Sequence, residues 1–176
     1  MKSILAQIAK RASISTALIF YHFADRQDLI DQTLQALLEQ SATFILTKTF
    51  ESNEPNAQLA RFIEASIAYQ ATHPKHNVAL LEIIFNARTE EGMPYYKLPD
   101  DGDDSLLVAL CGVLEIGKAQ GDFKVSPVNV MAKVIQRSIG EYMSTGKSLA
   151  IDAQQYSEEV IEIIRTAMKV EGTKHA

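Results

Sequence analysis

Residues 3–29 read Ser3-Ile-Leu-Ala-Gln-Ile-Ala-Lys-Arg-Ala-Ser-Ile-Ser-Thr-Ala-Leu-Ile-Phe-Tyr-His-Phe-Ala-Asp-Arg-Gln-Asp-Leu29, and this stretch decides the fold. Ser3 can cap a short helix to about Arg11, with Ile4, Leu5 and Ile8 turned inward. Ala12-Ser13-Ile14 makes a tight turn, and Ser15 caps a second short helix through Tyr21. Asp25 caps the long helix that follows, and Asp28 lies three residues on, where an acid favours the positive helix end. Two short helices joined this way form a helix-turn-helix, whose second helix enters the major groove of DNA. Thr16 and Ala17 are small enough to approach base edges, while Tyr21, His22 and Arg26 can reach flanking phosphates.

Charge is distributed to match. The whole chain of 176 residues has 17 basic and 22 acidic side chains and a formal charge of −5. Within the first 30 residues, Lys2, Lys10, Arg11 and Arg26 face only Asp25 and Asp28, a surplus of two positive charges. The remaining residues hold 13 bases and 20 acids. A small basic head therefore precedes a larger acidic body. The single cysteine, Cys111, excludes an intramolecular disulfide framework and fits a reducing compartment. No apolar run has the length of a membrane span, and the first residues lack the apolar block of a signal peptide. A cytoplasmic protein is expected.

Beyond the head the apolar spacing is helical throughout, so the fold class is all-α. Leu29, Ile30, Thr33, Leu34, Leu37 and Leu38 form one stripe, and Leu59, Phe62, Ile63, Ser66, Ile67 and Gln70 form the next. The break between them is Ser52-Asn53-Glu54-Pro55-Asn56, and His73-Pro74 ends the second helix. Residues 78–85 are apolar almost all round, which predicts a central helix. Gly92, Pro94, Pro99 and Gly102 mark a loop over 89–103. Asp103 or Asp104 then caps a helix from Leu106 to about Ala119, closed near Gly121. Pro127 suits the first turn of a helix over 127–145, stopped by Gly146, and a last helix spans about 153–170.

The head resembles the DNA-binding segment of the TetR (tetracycline-repressor-like) family over roughly residues 3–35. The likeness rests on Ile8-Ala9, Ala12, Ile14-Ser15, the run Ile19-Phe20-Tyr21-His22-Phe23, and then Arg26 and Leu29. It implies that Ser15 to Leu18 present Thr16, Ala17 and Leu18 to bases, while Phe20, Tyr21, His22 and Arg26 pack on or bond to the DNA backbone. It also implies a homodimeric repressor released from double-stranded operator DNA by a small-molecule effector, with no cofactor or metal and no enzymatic step. Three departures stand out. Ser13 occupies a turn position where the family has glycine, at a cost of ~1 kcal/mol if φ is positive. Ala17 replaces a common glycine, and its methyl group could meet a thymine methyl. The family also places a helix before Ser3, over Ile8, Ile19 and Phe23, where this sequence has two residues. Residues 1–45 are thus the head running into a connecting helix, and 46–176 the ligand-binding and dimerisation domain.

In the body, a ligand cavity walled by Phe62, Ser66 and Tyr69, by Leu81, Phe85 and Arg88, and by Leu107, Cys111 and Glu115 is expected from the resemblance. Plain core is the stronger reading for Phe62, Leu81 and Phe85. Glu82 and Glu115 interrupt apolar runs; Glu82 shares a face with Lys75, Asn86 and Thr89 and reads as solvated, whereas Glu115 stays ambiguous. The last two helices offer a dimer surface through Met131, Val134, Ile135, Ile139 and Tyr142, and through Ile161, Ile164 and Met168. Lys133 and Arg137 could meet Glu158 or Glu162 across it. The competing function is a ligand-binding or sequestering protein of the same ancestry that no longer binds DNA.

Other motifs fail on spacing. Thr145-Gly146-Lys147-Ser148 has Glu141 where a phosphate loop needs glycine, and no strand precedes it. His73 and His76 have no carboxylate or thiol at metal spacing. Asp100-Asp101-Gly102-Asp103-Asp104 lacks the alternating ligands of a calcium loop. Cys111 has no base at hand and reads as a structural thiol.

Overall fold

The computed structural model describes residues 2–98, 104–125, 127–145 and 150–169, with the side chains of residues 2–4 and 145 set aside. Eight α-helices and one 3₁₀ turn make up its regular structure, and among the described residues there is no strand. The helices are α1 Lys2–Ala12, α2 Thr16–His22, α3 Arg26–Thr49, α4 Pro55–Thr72, α5 Pro74–Asn86, α6 Ser105–Gln120, α7 Val128–Thr145 and α8 Ala153–Ala167; the 3₁₀ turn is Tyr95–Lys97. None of the described helices is long and apolar enough to cross a membrane.

The chain divides into two compact units. One comprises Met1–Glu39 with Ala79–Leu98, the other Gln40–Val78 with Pro99–Ala176. This differs from a division at residue 45, because residues 79–98, expected in the body, belong to the head's unit.

In the first unit Leu5, Ala9 and Ile19 are buried together, with Phe23 and Leu29 packed against them. The spacing Leu5–Ala9 is one helical turn, so α1 buries that line, and Ile8, expected inside, is exposed. The side chain of Ile4 lies outside the described set. A reciprocal box starts α3: the Asp28 amide donates to Asp25 Oδ1 at 2.9 Å, and the Ala24 amide donates to Asp28 Oδ2 at 2.8 Å.

The second unit is organised round α4, which packs against α6, α7 and α8. Leu59, Phe62, Ile63 and Ile67 of α4 meet Leu110 and Leu114 of α6, Ile135 and Ile139 of α7, and Val160, Ile161 and Ile164 of α8 in one core. The central helix is therefore α4, not the 78–85 stretch. Its Gln58, Ala65 and Ser66 are buried as well, so α4 is enclosed on more than one face despite its polar letters. By contrast α5, the more apolar sequence, has no buried residue. Asp104 caps α6 by accepting from the Leu107 amide at 2.9 Å. Gly121 closes it at φ +83°, a left-handed geometry that favours glycine. The chain then folds Phe123 back over Gly117, where the absence of a side chain is required: a Cβ there would sit well inside the Phe123 ring's contact distance.

Candidate functional site

The seven-residue helix α2 is the centre of the head. Ser15, in extended conformation, accepts a hydrogen bond from the Leu18 amide at 3.1 Å and starts the helix. Ile19 anchors it in the Leu5–Ala9 cluster. The other side of α2 is open: Ala17, Leu18, Phe20, Tyr21 and His22 are exposed, as is Arg26 at the start of α3, and Thr16 is half-buried. Tyr21 is 82% exposed, so its ring is free to meet a partner rather than filling a core. Its ring stands edge-on to His22 at 5.0 Å. Lys10 and Arg11 occupy the last turn of α1. The eight residues expected to meet DNA are thus grouped on one short helix and its flanks, although Ser15 already uses its hydroxyl as a cap. Ser13 has φ +59°, the left-handed value the turn demands, and its amide still bonds to the Lys10 carbonyl at 3.2 Å.

The nine residues expected at a ligand cavity fall in both units. On α4, Phe62, Ser66 and Tyr69 are buried. Ser66 Oγ donates to the Phe62 carbonyl at 2.6 Å, so its polarity is satisfied within the helix. Tyr69 has the richer surroundings: its ring stacks on His73 at 4.1 Å, lies 5.5 Å from Phe44, and its hydroxyl lies 3.0 Å from His76 Nδ1. Burial pushes the Tyr69 hydroxyl pKa up. On α6, Leu107 and Cys111 are half-buried and Glu115 is exposed, which settles Glu115 as solvated. The Cys111 thiol is pushed up by burial and by the Glu115 charge, away from thiolate chemistry. Leu81, Phe85 and Arg88 belong to the other unit. Leu81 is half-buried, Phe85 and Arg88 are exposed, and the Arg88 guanidinium donates to the Phe85 and Ala87 carbonyls at the end of α5. Glu82 is exposed and accepts from Asn86, in keeping with a solvated face. One buried acceptor near the end of α4, Gln70 Oε1, has no hydrogen-bond partner.

Five of the eight residues expected at a dimer contact are core residues of their own chain. Ile135, Ile139, Ile161, Ile164 and Met168 are all buried in the second unit. Met131 and Tyr142 are half-buried against the same core, with the Tyr142 ring 5.2 Å from Tyr156. The physical reason is helix phase: Val128, Ala132, Ile135 and Ile139 recur at the turns of α7 that face α4, leaving the opposite side outward. That outward side carries Val130 and Val134, 56% and 47% exposed, and α8 adds Ile163 at 63%. Asn129, Val130, Lys133, Val134, Arg137 and Ser138 line an open groove of about 550 Å³ along it. Glu158, Glu159 and Glu162 are exposed on α8.

Sequence reasoning passed over Tyr95. The Tyr95 hydroxyl donates to Asp31 Oδ1 and accepts from Gln27 Nε2, which also donates to Asp31 at 3.2 Å. Tyr95 is the one buried residue of the segment 79–98. A tyrosine in a Pro-Gly-rich loop carries no periodic signal, so nothing local could have marked it. Of the failed motifs, Gly146–Ser148 and Asp100–Asp103 lie outside the described residues. No group of three or more His, Cys, Asp or Glu side chains could hold a metal among those described.

No protein-family model matches the sequence, and no characterised protein matches it in sequence. Solved structures do match in fold. The TetR-family regulator PfmR from Thermus thermophilus aligns over 94% of this chain and 89% of its own, with a TM-score of 0.74 at 17% identity. The transcriptional regulator FadR from Bacillus subtilis, solved with stearoyl-CoA, aligns over 94% and 88% with a TM-score of 0.74 at 19% identity. The ketosteroid regulator KstR2 of Mycobacterium tuberculosis aligns over 95% and 85% with a TM-score of 0.68 at 17% identity. The chain is similar to each in architecture over nearly all of its length.

Proposed function

We propose that this chain, which carries the all-α fold of the TetR-family regulators, is a DNA-binding transcriptional repressor released from its operator by a small molecule. The observation that carries the reading is α2: a short helix anchored by Ile19 that holds Ala17, Leu18, Phe20, Tyr21 and His22 exposed together. Apolar side chains grouped in water on one short helix mark a binding face. Thr16, Ala17 and Leu18 read bases, and Tyr21, His22 and Arg26 hold phosphates.

Operator binding by such a head calls for two copies related by a two-fold axis. The outward side of α7 and α8 supports this pairing: Val130, Val134 and Ile163 are exposed apolar side chains among Lys133, Arg137 and the acids Glu158, Glu159 and Glu162. Bases on α7 and acids on α8 are complementary when the face meets its own copy. For the effector, the unit holding residues 79–98 supplies exposed apolar side chains such as Phe85 and Tyr96. An apolar ligand would cover that surface, and stearoyl-CoA, bound in the Bacillus subtilis relative in fold, is the first candidate to try. The regulator acts in the cytoplasm and performs no chemical step.

Fluorescence anisotropy with DNA flanking its own gene, at two salt concentrations, tests the reading. Binding whose affinity falls steeply with salt is expected. Saturable effector binding with no DNA binding at either salt would instead favour a sequestering protein.

A further inference from the structure

We propose that His73 and His76, held by Tyr69 at the corner between α4 and α5, bind a divalent transition metal of the kind that prefers imidazole: copper, nickel or zinc. The site lies within the second unit alone and is independent of the repressor reading.

A chelating pair of imidazoles needs the right ring separation, a free lone pair on each ring and little slack between them. Two imidazoles bound through one nitrogen each to a tetrahedral ion, at about 2.0–2.1 Å, have ring centres about 5 Å apart. Those of His73 and His76 lie 5.1 Å apart. Which nitrogen stays free follows from Tyr69. The His73 Nδ1 lies 3.0 Å from the Tyr69 carbonyl and 2.9 Å from Thr72 Oγ1. A carbonyl only accepts, and Thr72 gives its own proton to the Ala68 carbonyl at 2.7 Å, so the His73 hydrogen sits on Nδ1 and the lone pair on Nε2. On His76 the Nδ1 lies 3.0 Å from the Tyr69 hydroxyl, whose oxygen accepts when Nε2 is the ligating atom. One tyrosine thus supplies the outer partner of both rings, the arrangement that orients metal-ligating histidines. Among the described residues, no hydrogen bond reaches either Nε2. Slack is small as well: the Tyr69 ring stacks on His73 at 4.1 Å and 13°, Pro74 fixes the backbone between the two histidines, and the His73 carbonyl accepts from the His76 amide at 3.0 Å. Both histidines are half-buried, so solvent and ions still reach them. No third His, Cys, Asp or Glu joins the pair among the described residues, so water fills the other positions on the ion. Magnesium and calcium, which take oxygen ligands, do not suit the pair.

Titration of the full, untagged chain with Cu(II), Ni(II), Zn(II) and Mg(II) salts tests the site, by calorimetry for affinity and by amide NMR for place. Saturable binding of one ion per chain is expected for the first three, tightest for Cu(II), with none for Mg(II). Paramagnetic Cu(II) should broaden the amides of residues 69–77 first, an observation that needs no substitution. His73→Gln and His76→Gln should each weaken Cu(II) binding by about ten-fold or more, because the second ring binds intramolecularly only while the first is present. Tyr69→Phe keeps the stacked ring and removes the hydroxyl that positions His76, and should also cost about ten-fold. Amide spectra otherwise like that of the unaltered chain report that each variant is folded. Broadening centred on His22 or His175, affinity unchanged in both histidine variants, or no saturable binding of any of the three ions below about 1 mM would overturn the site.

Discussion

Replacing Ser13 by glycine should strengthen the head. At φ +59° Ser13 stands in the left-handed region, where a side chain costs about 1–2 kcal/mol. Its side chain is exposed and the two backbone bonds of the turn, from the Ser13 amide at 3.2 Å and the Ile14 amide at 3.0 Å, survive the change. Glycine returns about 0.5–1 kcal/mol through its greater freedom in the unfolded chain. The net is a gain of about 0.5–1 kcal/mol, or roughly a two- to five-fold slowing of local opening. Because residues 1–39 belong to a unit of their own with 79–98, the assay should be amide exchange of α1 and α2 rather than a single global melt. Ser13→Asn should be near neutral, since asparagine tolerates this geometry, and Ser13→Val should lose about 1 kcal/mol or more. Faster exchange in Ser13→Gly together with an unchanged Ser13→Val would mean that the turn is not held left-handed, and the reasoning would fail.

Other substitutions probe separate features. Gly117→Ala should destabilise the second unit by about 1–3 kcal/mol, read by urea denaturation, because its methyl group would overlap the Phe123 ring. Arg26→Ala should weaken binding to every DNA sequence alike and lower the salt slope by about one, measured by anisotropy; a change confined to one sequence would assign Arg26 to bases instead. Val134→Asp, at an exposed site, should leave folding intact and shift sedimentation from dimer to monomer, whereas an unaltered dimer would move the contact elsewhere. Asp28 is held below its ordinary 3.8 by hydrogen bonds from Gln32 and the Ala24 amide. Its contribution to the α3 start is therefore full above pH 3.8 and disappears as pH falls through the lowered value, which the Ala24 amide shift in an NMR titration would follow.

The helices were legible where periodicity and caps agree. Ser15, Asp104 and Gly121 end or start helices as their chemistry requires, and His73 separates α4 from α5. What the sequence hid is depth of burial. A run such as 78–85, apolar but for Glu82, suggests a core, but apolar letters state only what could be buried, not how many neighbours arrive. Helix α4 shows the converse: Gln58 lies outside the apolar stripe, yet it bonds the Ser52 carbonyl and is buried, while Ser66, on the stripe, satisfies its hydroxyl on the Phe62 carbonyl. At α7 the apolar positions outnumber one face, and spacing alone could not say whether Ile135 or Val134 faces outward; contact with α4 decides it. Tyr95 lay beyond reach for a different reason, since its partners are long-range and a loop has no period to betray them.

The head's unit takes its residues from two separate stretches of chain, 1–39 and 79–98. A head built this way resists modular exchange. A chimera made by grafting residues 1–45 onto a foreign body would carry Gln27 and Asp31 but leave Tyr95 behind, and the host would have to supply a matching hydroxyl at the right height on α3. On the proposed DNA-binding reading, retargeting to a new operator would mean rewriting the exposed side chains of α2 in place, with the returning segment kept native.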